Sequence, residues 1–170
     1  TAGAVWTEKT AYHAAACANS ECLRYLHEHG CPWDGDTPNN AAMHGSLNTL
    51  RYALEHGCQY STHFMVFAAR GKSLACLKYL VEDRGILVYS DLCVSSLLAS
   101  DLPCLQYLST HGCSCAHARI RLLPYEIEPL YRILHSNKEE FIKCVEYAIQ
   151  QGWKMPSRFV TYLHEGDHGI

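Results

Sequence analysis

The strongest constraint on this chain is a pattern of eleven residues that recurs five times. Residues 21–31 read ECLRYLHEHGC, residues 48–58 read NTLRYALEHGC, and related stretches occupy 75–85, 103–113 and 143–153. Each copy has a tyrosine at its centre, and successive tyrosines are 27, 27, 28 and 40 residues apart. Such a repeat predicts small units that stack, because one unit cannot bury its own apolar face. The tyrosines are Tyr25, Tyr52, Tyr79, Tyr107 and Tyr147.

Within each copy the apolar residues follow a helical spacing. In the first copy, Cys22, Leu23 and Leu26 are apolar, while Arg24 between them is polar. Positions i, i+1 and i+4 share one face of a helix, so the pattern predicts a helix with one buried side. A glycine follows each copy's helical part and is expected to end the helix in the left-handed conformation. If the copies are equivalent units, their tyrosines should lie in equivalent environments.

A second, shorter helix is predicted before each of these outer helices. Pairs of small residues lie ten and eleven positions before the tyrosine, and they would let neighbouring helices approach closely. They are Ala14–Ala15, Ala41–Ala42 and Ala68–Ala69, with Ser96–Leu97 in the fourth copy. In TPNNAAMHG, residues 37–45, Thr37 is expected to be the N-cap and Pro38 the first helical residue. Each unit is thus predicted to be a short helix, a tight turn, a longer helix and a loop.

The second unit, TPNNAAMHGSLNTLRYALEHGC, resembles an ankyrin repeat, whose pattern runs T-P-L-H-x-A-A and then G-H before a hydrophobic helix and a glycine. The stretch CLRYLHEHGCPWD is similar to the Cys-Pro-Trp-Asp turns of divergent ankyrin arrays. Ankyrin units run about 33 residues, whereas these run 27. The missing residues fall where the family places its β-hairpin finger. The resemblance implies an all-α, ankyrin-like helical-hairpin solenoid with shortened inter-repeat loops.

The resemblance is close over residues 8–115 and loose over 125–165. It predicts a single array over residues 1–170, with repeats at 8–34, 35–61, 62–90, 91–115 and 125–153 and a partial unit at 156–170. The fourth repeat lacks the Ala-Ala pair, and residues 114–126 are an insertion, so a change of curvature is expected there. Neither end carries an obvious polar cap, which predicts a longer array or partners that cover the ends.

Composition limits the classes of partner. The formal net charge is −3 and no basic run occurs, so the sequence does not favour nucleic acid or an anionic membrane as a partner. No apolar run is long enough to span a bilayer. The ten cysteines are spread through helix-like segments, as small apolar residues would be. We therefore expect reduced thiols and an intracellular, reducing compartment, the cytoplasm or else an organelle matrix.

A metal-binding or redox-sensing module is the alternative interpretation of the cysteines and histidines. The best cluster is HGCSCAH, with His111, Cys113, Cys115 and His117. Zinc sites usually combine C-x₂₋₄-C with H-x₃₋₅-H, and this cluster has one residue between its cysteines and no second pair. The repeat explains Cys22, Cys76, Cys104 and Cys144 as core residues. It explains Cys31, Cys58 and Cys113 as the small residue after the terminating glycine.

No catalytic constellation stands apart from the repeat. The sequence contains no G-x-S-x-G, no phosphate-binding glycine loop and no H-E-x-x-H. No cysteine is distinguished from its repeat equivalents as a nucleophile. The sequence therefore predicts a protein that is not an enzyme, with no cofactor and no small-molecule substrate.

The resemblance places a binding surface on the inner helices and loops, where a mixed polar and aromatic strip is predicted. Such a strip suits protein recognition and lacks clustered Lys and Arg for phosphate contacts. Trp33 has two interpretations, since its ring either covers the edge of the next unit or anchors a partner. The predicted partner-binding residues are Tyr12, His13, Trp33, Asn39, Asn40, Met43, His44, His63, Phe64 and Arg70. The expected function is a protein-interaction scaffold, either an adaptor or an accessory subunit of a larger assembly.

Overall fold

Short helices make up the regular structure of residues 5–61, 64–113 and 137–154, the part of the chain that the computed structural model describes. The all-α prediction is confirmed for these residues. None of their helices is both long and apolar enough to cross a bilayer. The helices are α1 (Glu8–Ala15), α2 (Ser20–Glu28), α3 (Asp36–Met43), α4 (Leu47–Glu55), α5 (Phe64–Arg70), α6 (Leu74–Lys78), α7 (Ser90–Leu98), α8 (Leu102–Thr110) and α9 (Lys138–Gln150), and α6 runs directly into a π turn (Tyr79–Asp83).

The chain divides into two compact units, Thr1–Leu87 and Val88–Ile170. In the first unit, α1 packs against α3 and α3 against α5, and we call these helices the inner row. Likewise α2 packs against α4 and α4 against α6, and these form the outer row. Three helical hairpins therefore lie side by side in sequence order. In the second unit, α7 and α8 form a hairpin, and α9 packs against both of its helices.

The outer helices begin at residues that favour an N-cap, six positions before the tyrosine. The side chain of Asn19 accepts a hydrogen bond from the backbone N–H of Glu21 at 3.0 Å. The hydroxyl of Ser73 accepts one from Cys76 at 3.3 Å. Such caps satisfy backbone donors that the first helical turn leaves unpaired. The same position holds Ser46 before α4 and Asp101 before α8.

The outer helices end as the sequence predicts. Gly30 and Gly57 have φ angles of 80° and 78°, in the left-handed region. The residue after each glycine then donates its N–H to a carbonyl five residues back, Cys31 to Leu26 at 2.8 Å and Cys58 to Ala53 at 2.9 Å. These bonds satisfy carbonyl groups at the helix end.

The third outer helix contains one extra residue, which accounts for the spacing of 28 after Tyr79. The extra residue lies within the helix, where Arg84 N–H bonds to the carbonyl of Tyr79 at 3.1 Å and widens the last turn. Tyr79 is 6% exposed, whereas Tyr25 is 55% exposed. The guanidinium of Arg51 lies 5.0 Å from the centre of the Tyr79 ring. The environment of Tyr79 therefore differs from that of Tyr25, against the expectation of equivalence.

The inner row packs closely because its contact positions are small. Ala15, Ala41, Ala42 and Ala68 are fully buried at 0% exposure, as the pairs of small residues predict. At the end of α5, Gly71 lies against α3 so closely that a Cβ atom built there would be 2.0 Å from the carbonyl oxygen of Met43. A side chain of any size is excluded at that position.

Hydrogen bonds also join the first hairpin to the second. The side-chain amide of Asn40 donates to the carbonyl of Tyr12 at 2.7 Å. The hydroxyls of Ser46 and Thr49 donate to the carbonyls of Ala16 and Cys17 at 3.3 and 3.1 Å. These acceptors lie at the end of α1 or just beyond it, where helix carbonyls lack intrahelical partners. The hairpins are therefore fixed in register by polar contacts as well as by apolar packing.

Some predictions for individual residues are wrong. Thr37 is not an N-cap and Pro38 is not the first helical residue, because α3 already begins at Asp36 and Gly35 is its N-cap. Cys22 is exposed rather than part of the core, although Cys76, Cys104 and Cys144 at the equivalent position are buried. The insertion at 114–126, the first helix of the fifth repeat and the partial unit at 156–170 lie outside the described residues.

We predict that Gly71→Ala destabilises the protein by about 2–3 kcal/mol, because its methyl group must displace the backbone of Met43. Gly35→Ala is the control, since a Cβ there comes no nearer than 3.4 Å to Gln59 and the φ angle of −63° suits alanine. Urea denaturation of both variants measures the difference. Equal stabilities for the two variants would contradict the close approach of α5 to α3.

Candidate functional site

A pocket of about 200 Å³ lies on the inner row of the first unit. Three helices supply its lining, with Tyr12 from α1, Met43 from α3 and Phe67 from α5. Asp36, Asn39 and Asn40, all from α3, provide its polar groups. Because α3 packs between α1 and α5, one face of α3 over about two turns contributes most of the lining. We refer to these six residues as the inner pocket.

The two asparagines hold the polar side of the inner pocket in place. Each is 5% exposed. The amide of Asn39 donates to the Asp36 carboxylate at 3.2 Å, and that of Asn40 donates to the Tyr12 carbonyl at 2.7 Å. The Oδ1 atom of Asn39 is buried and has no hydrogen-bond partner among the described residues. An unpaired buried acceptor is unfavourable by about 1–3 kcal/mol, so this amide can gain from a donor.

The structure brings together four residues of the predicted strip, namely Tyr12, Asn39, Asn40 and Met43. The ring of His13 lies 5.3 Å from that of Tyr12, beside the pocket. His44 and Arg70 are exposed but do not line the pocket.

Phe64 and His63 are the remaining residues of the predicted strip on or near α5. Phe64 is 1% exposed, so its side chain belongs to the core and not to the surface part of the strip. His63 lies outside the described residues.

Trp33 lies away from the inner pocket, in a cluster of rings on the outer row. Its ring stacks on His27 at 3.9 Å and meets Tyr52 edge-on at 6.3 Å. The Nδ1 atom of His27 lies 2.9 Å from the Tyr52 hydroxyl. Trp33 is half-buried and packs against the core of the first two hairpins. This contact matches the interpretation in which Trp33 covers the next unit.

Sequence reasoning missed two residues of the inner pocket and one recurring contact. Asp36 and Phe67 were not part of the predicted strip, although each lies three positions from a strip residue and thus on the same helical face. The recurring contact joins Tyr25 to His29, Tyr52 to His56 and Tyr107 to His111, with ring centres 4.0 Å apart. The Tyr-x₃-His spacing was the available signal, because i and i+4 are neighbours on a helix.

The cysteines after the terminating glycines close their hairpins. The thiol of Cys58 donates to the carbonyl of Asp34 at 3.2 Å, and that of Cys31 donates to the carbonyl of Thr7 at 3.5 Å. Both contacts span 24 residues and link the exit of a hairpin to its entry. Burial, with the nearby Asp34 carboxylate, raises the pKa of Cys58 to about 12, and burial also raises the pKa of Cys31. These thiols stay protonated at neutral pH, and a protonated thiol is a poor nucleophile.

One pair of cysteines departs from the expectation of reduced thiols. Cys93, in α7, and Cys113, after the end of α8, are paired as a disulfide in the structure. The sulfur of Cys113 also lies 3.4 Å from the Tyr89 carbonyl oxygen, the place that the Cys31 and Cys58 sulfurs occupy in their hairpins. Cys17 and Cys22 lie outside this disulfide and are exposed.

The predicted metal cluster is only partly described. Cys115 and His117 lie outside the described residues. His111 is exposed, and its Nδ1 atom donates to the carbonyl of Tyr107 at 2.8 Å. Within residues 5–61, 64–113 and 137–154, no three His, Cys, Asp or Glu side chains lie close enough together to hold a metal ion.

We predict that alkylation of the native protein distinguishes the cysteines by burial. Cys17 and Cys22 should react first, because both are exposed. Cys58 should remain unmodified between about pH 7 and 9, since its pKa of about 12 keeps the folded-state thiol protonated and the thiolate is the reactive form. Peptide mapping after timed iodoacetamide treatment measures each site, and denatured protein is the control. Native Cys58 reacting as fast as Cys22 would refute the buried contact with Asp34.

No family model matches the chain, and no curated protein matches it. The functions of the inner pocket and of the ring cluster around Trp33 must therefore be inferred from the residues that form them. The ankyrin resemblance remains a prediction from the sequence pattern.

Proposed function

We propose that this chain is a non-enzymatic protein-interaction scaffold, built as an ankyrin-like repeat array and acting as an adaptor or as an accessory subunit of a larger assembly. The observation that carries this proposal is the inner pocket, which three neighbouring hairpins form together. Its partner is a protein that lays a side chain or a short segment along the inner row.

The chemistry of the inner pocket supports a protein partner. Tyr12, Met43 and Phe67 offer apolar and aromatic surface, and Asn39 and Asn40 offer amides. Aromatic residues and methionine are enriched in protein interfaces, and a few polar groups then fix the orientation of the partner. No basic residue is among the described residues that line the pocket, so phosphate contacts of the kind that nucleic acids require are not favoured there.

Rigidity is the second support. The Asn40–Tyr12 and Thr49–Cys17 hydrogen bonds fix the second hairpin against the first. The contact between Gly71 and Met43 fixes the third against the second. A surface that is already ordered loses little conformational entropy when a partner docks, and this favours binding.

We predict that Met43→Glu abolishes or weakens capture of the partner by at least about tenfold, which corresponds to about 1.4 kcal/mol. Met43 lines the pocket and is 40% exposed, so the new carboxylate would disturb the surface without entering the core. Ile149→Glu is the matched control, because Ile149 is 44% exposed and lies on α9 of the second unit.

The measurement is affinity capture with quantitative mass spectrometry, using the wild-type chain and both variants as bait. The scaffold proposal expects a stoichiometric set of proteins that the wild type and Ile149→Glu retain and Met43→Glu loses. A captured set that is the same for all three baits, or the absence of any stoichiometric protein, would overturn it. Circular dichroism confirms that each bait is folded.

A further inference from the structure

We propose that the inner pocket accepts one basic side chain, a lysine or an arginine, from the protein partner. This inference rests on the scaffold function proposed above and assigns the chemistry of its central contact. Size, lining and charge each point to the same occupant.

The size of the inner pocket selects a single side chain. Its volume is about 200 Å³. Pockets for drug-sized ligands have volumes of about 300–1,000 Å³, so a nucleotide or a comparable cofactor would not be enclosed here. One long side chain of a partner, with its backbone remaining outside along the inner row, matches this volume better.

The lining suits a side chain with an apolar stem and a polar tip. Tyr12, Met43 and Phe67 provide apolar walls. Lysine and arginine carry three or four methylene or equivalent groups that pack on such surfaces while the charged end stays near water. An aromatic ring also attracts a cation that lies over its face within about 6 Å of the ring centre, and Tyr12 and Phe67 are the two aromatic residues of this lining.

The charge of the inner pocket is negative. Of the six described residues that line it, Asp36 is the charged one. Its carboxylate accepts one hydrogen bond from Asn39, at 3.2 Å, and forms no ion pair with a cation of the described residues. A carboxylate accepts several hydrogen bonds, so Asp36 retains capacity for an ammonium or guanidinium group. Asp34, whose side chain accepts from the Asp36 N–H at 3.0 Å, adds a second acidic residue nearby.

The helix dipole is the main opposing effect, and it is smaller than the charge of Asp36. The polar residues lie in the first turns of α3, where the helix end carries a positive charge of about half an electron. Asp36 carries a full negative charge at the first residue of that helix. The sum remains negative, so a cation is favoured and an anion would be repelled.

The buried amide of Asn39 adds a reason for a hydrogen-bond donor. Its Oδ1 atom has no partner among the described residues, while its Nδ2 atom is committed to Asp36. Ammonium and guanidinium groups are pure donors, with three and five N–H groups. This oxygen is closed to solvent in the free protein, so a donor pairs with it only when the Asn39 side chain shifts on binding.

The test is a titration of the isotope-labelled protein with three pentapeptides, followed by NMR. The peptides are acetylated and amidated, with alanine at four positions and lysine, arginine or norleucine at the centre. Norleucine keeps the apolar stem of lysine and lacks its charge. We expect the lysine and arginine peptides to shift the side-chain amide signal of Asn39 and the signals of Tyr12 and Phe67, with a Kd on the order of 1 mM.

Asp36→Asn should weaken the binding of the basic peptides about fivefold to tenfold, because it removes the charge and keeps an acceptor for Asn39. Glu55→Gln is the matched control, since Glu55 is exposed on α4 and does not line the pocket. The affinity should also fall when the salt concentration is raised, as for any partly exposed charge pair. Thermal denaturation shows whether both variants retain the stability of the wild type.

Three outcomes would overturn the inference: no shifts with any peptide at about ten times the expected Kd, equal binding of the norleucine peptide, or an unchanged Kd in Asp36→Asn. The affinity-capture experiment distinguishes failure of this inference from failure of the proposed scaffold function. If the Met43→Glu bait no longer captures the partner proteins and the Asp36→Asn bait still does, the scaffold function stands. The proposal that the pocket accepts a lysine or arginine is then wrong. If no captured protein is lost with the Met43→Glu bait, the scaffold proposal is wrong, whatever the result of the peptide titration.

Discussion

Helices of five to nine residues cannot persist alone in water, and this limits everything else in the first unit. Helix formation needs a costly first turn, so isolated helices shorter than about 12–15 residues are marginal. Each hairpin therefore depends on its neighbour to cover the apolar side of both helices. The small residues of the inner row make that contact possible, since Ala41 and Ala42 lie fully buried between α1 and α5. A surface formed by several hairpins, such as the inner pocket, exists only while they remain together.

The parts of the fold that follow from local rules could be predicted from the sequence. Glycines such as Gly30 end helices because few other residues adopt a positive φ at low cost. A glycine is identified directly in the sequence, so these helix ends could be predicted. The pairing of helices follows from apolar spacing, but the predicted length difference is one residue in each of the first two hairpins and absent between α7 and α8. The caps at Asn19 and Ser73 obey equally local rules and lie six residues before the tyrosine of their repeat.

The remainder depends on contacts between hairpins, which a single repeat does not encode. Cys22 has the same place in its unit as Cys76, yet Cys22 is exposed and Cys76 is buried, so the helical pattern alone does not decide burial at that position. Phe64 and Asn39 were both placed on one polar and aromatic strip, and the packing of α3 against α5 decides that Phe64 enters the core while Asn39 lines the pocket. The pocket itself could not be predicted, since its shape depends on the distance between three helices.

The π turn in the third outer helix shows where a copy of the repeat can change its length. Ile86 leaves that helix by donating to Leu80, six residues back, at 3.0 Å, whereas Cys58 donates to Ala53, five residues back, at 2.9 Å. The added residue is absorbed between positions 79 and 85, before the chain reaches the next hairpin. When copies of this repeat are aligned with one another, the gap therefore belongs inside the helix and not in the loop. A loop gap would match the positions between the added residue and that gap, including the terminating glycine, to the wrong structural counterparts.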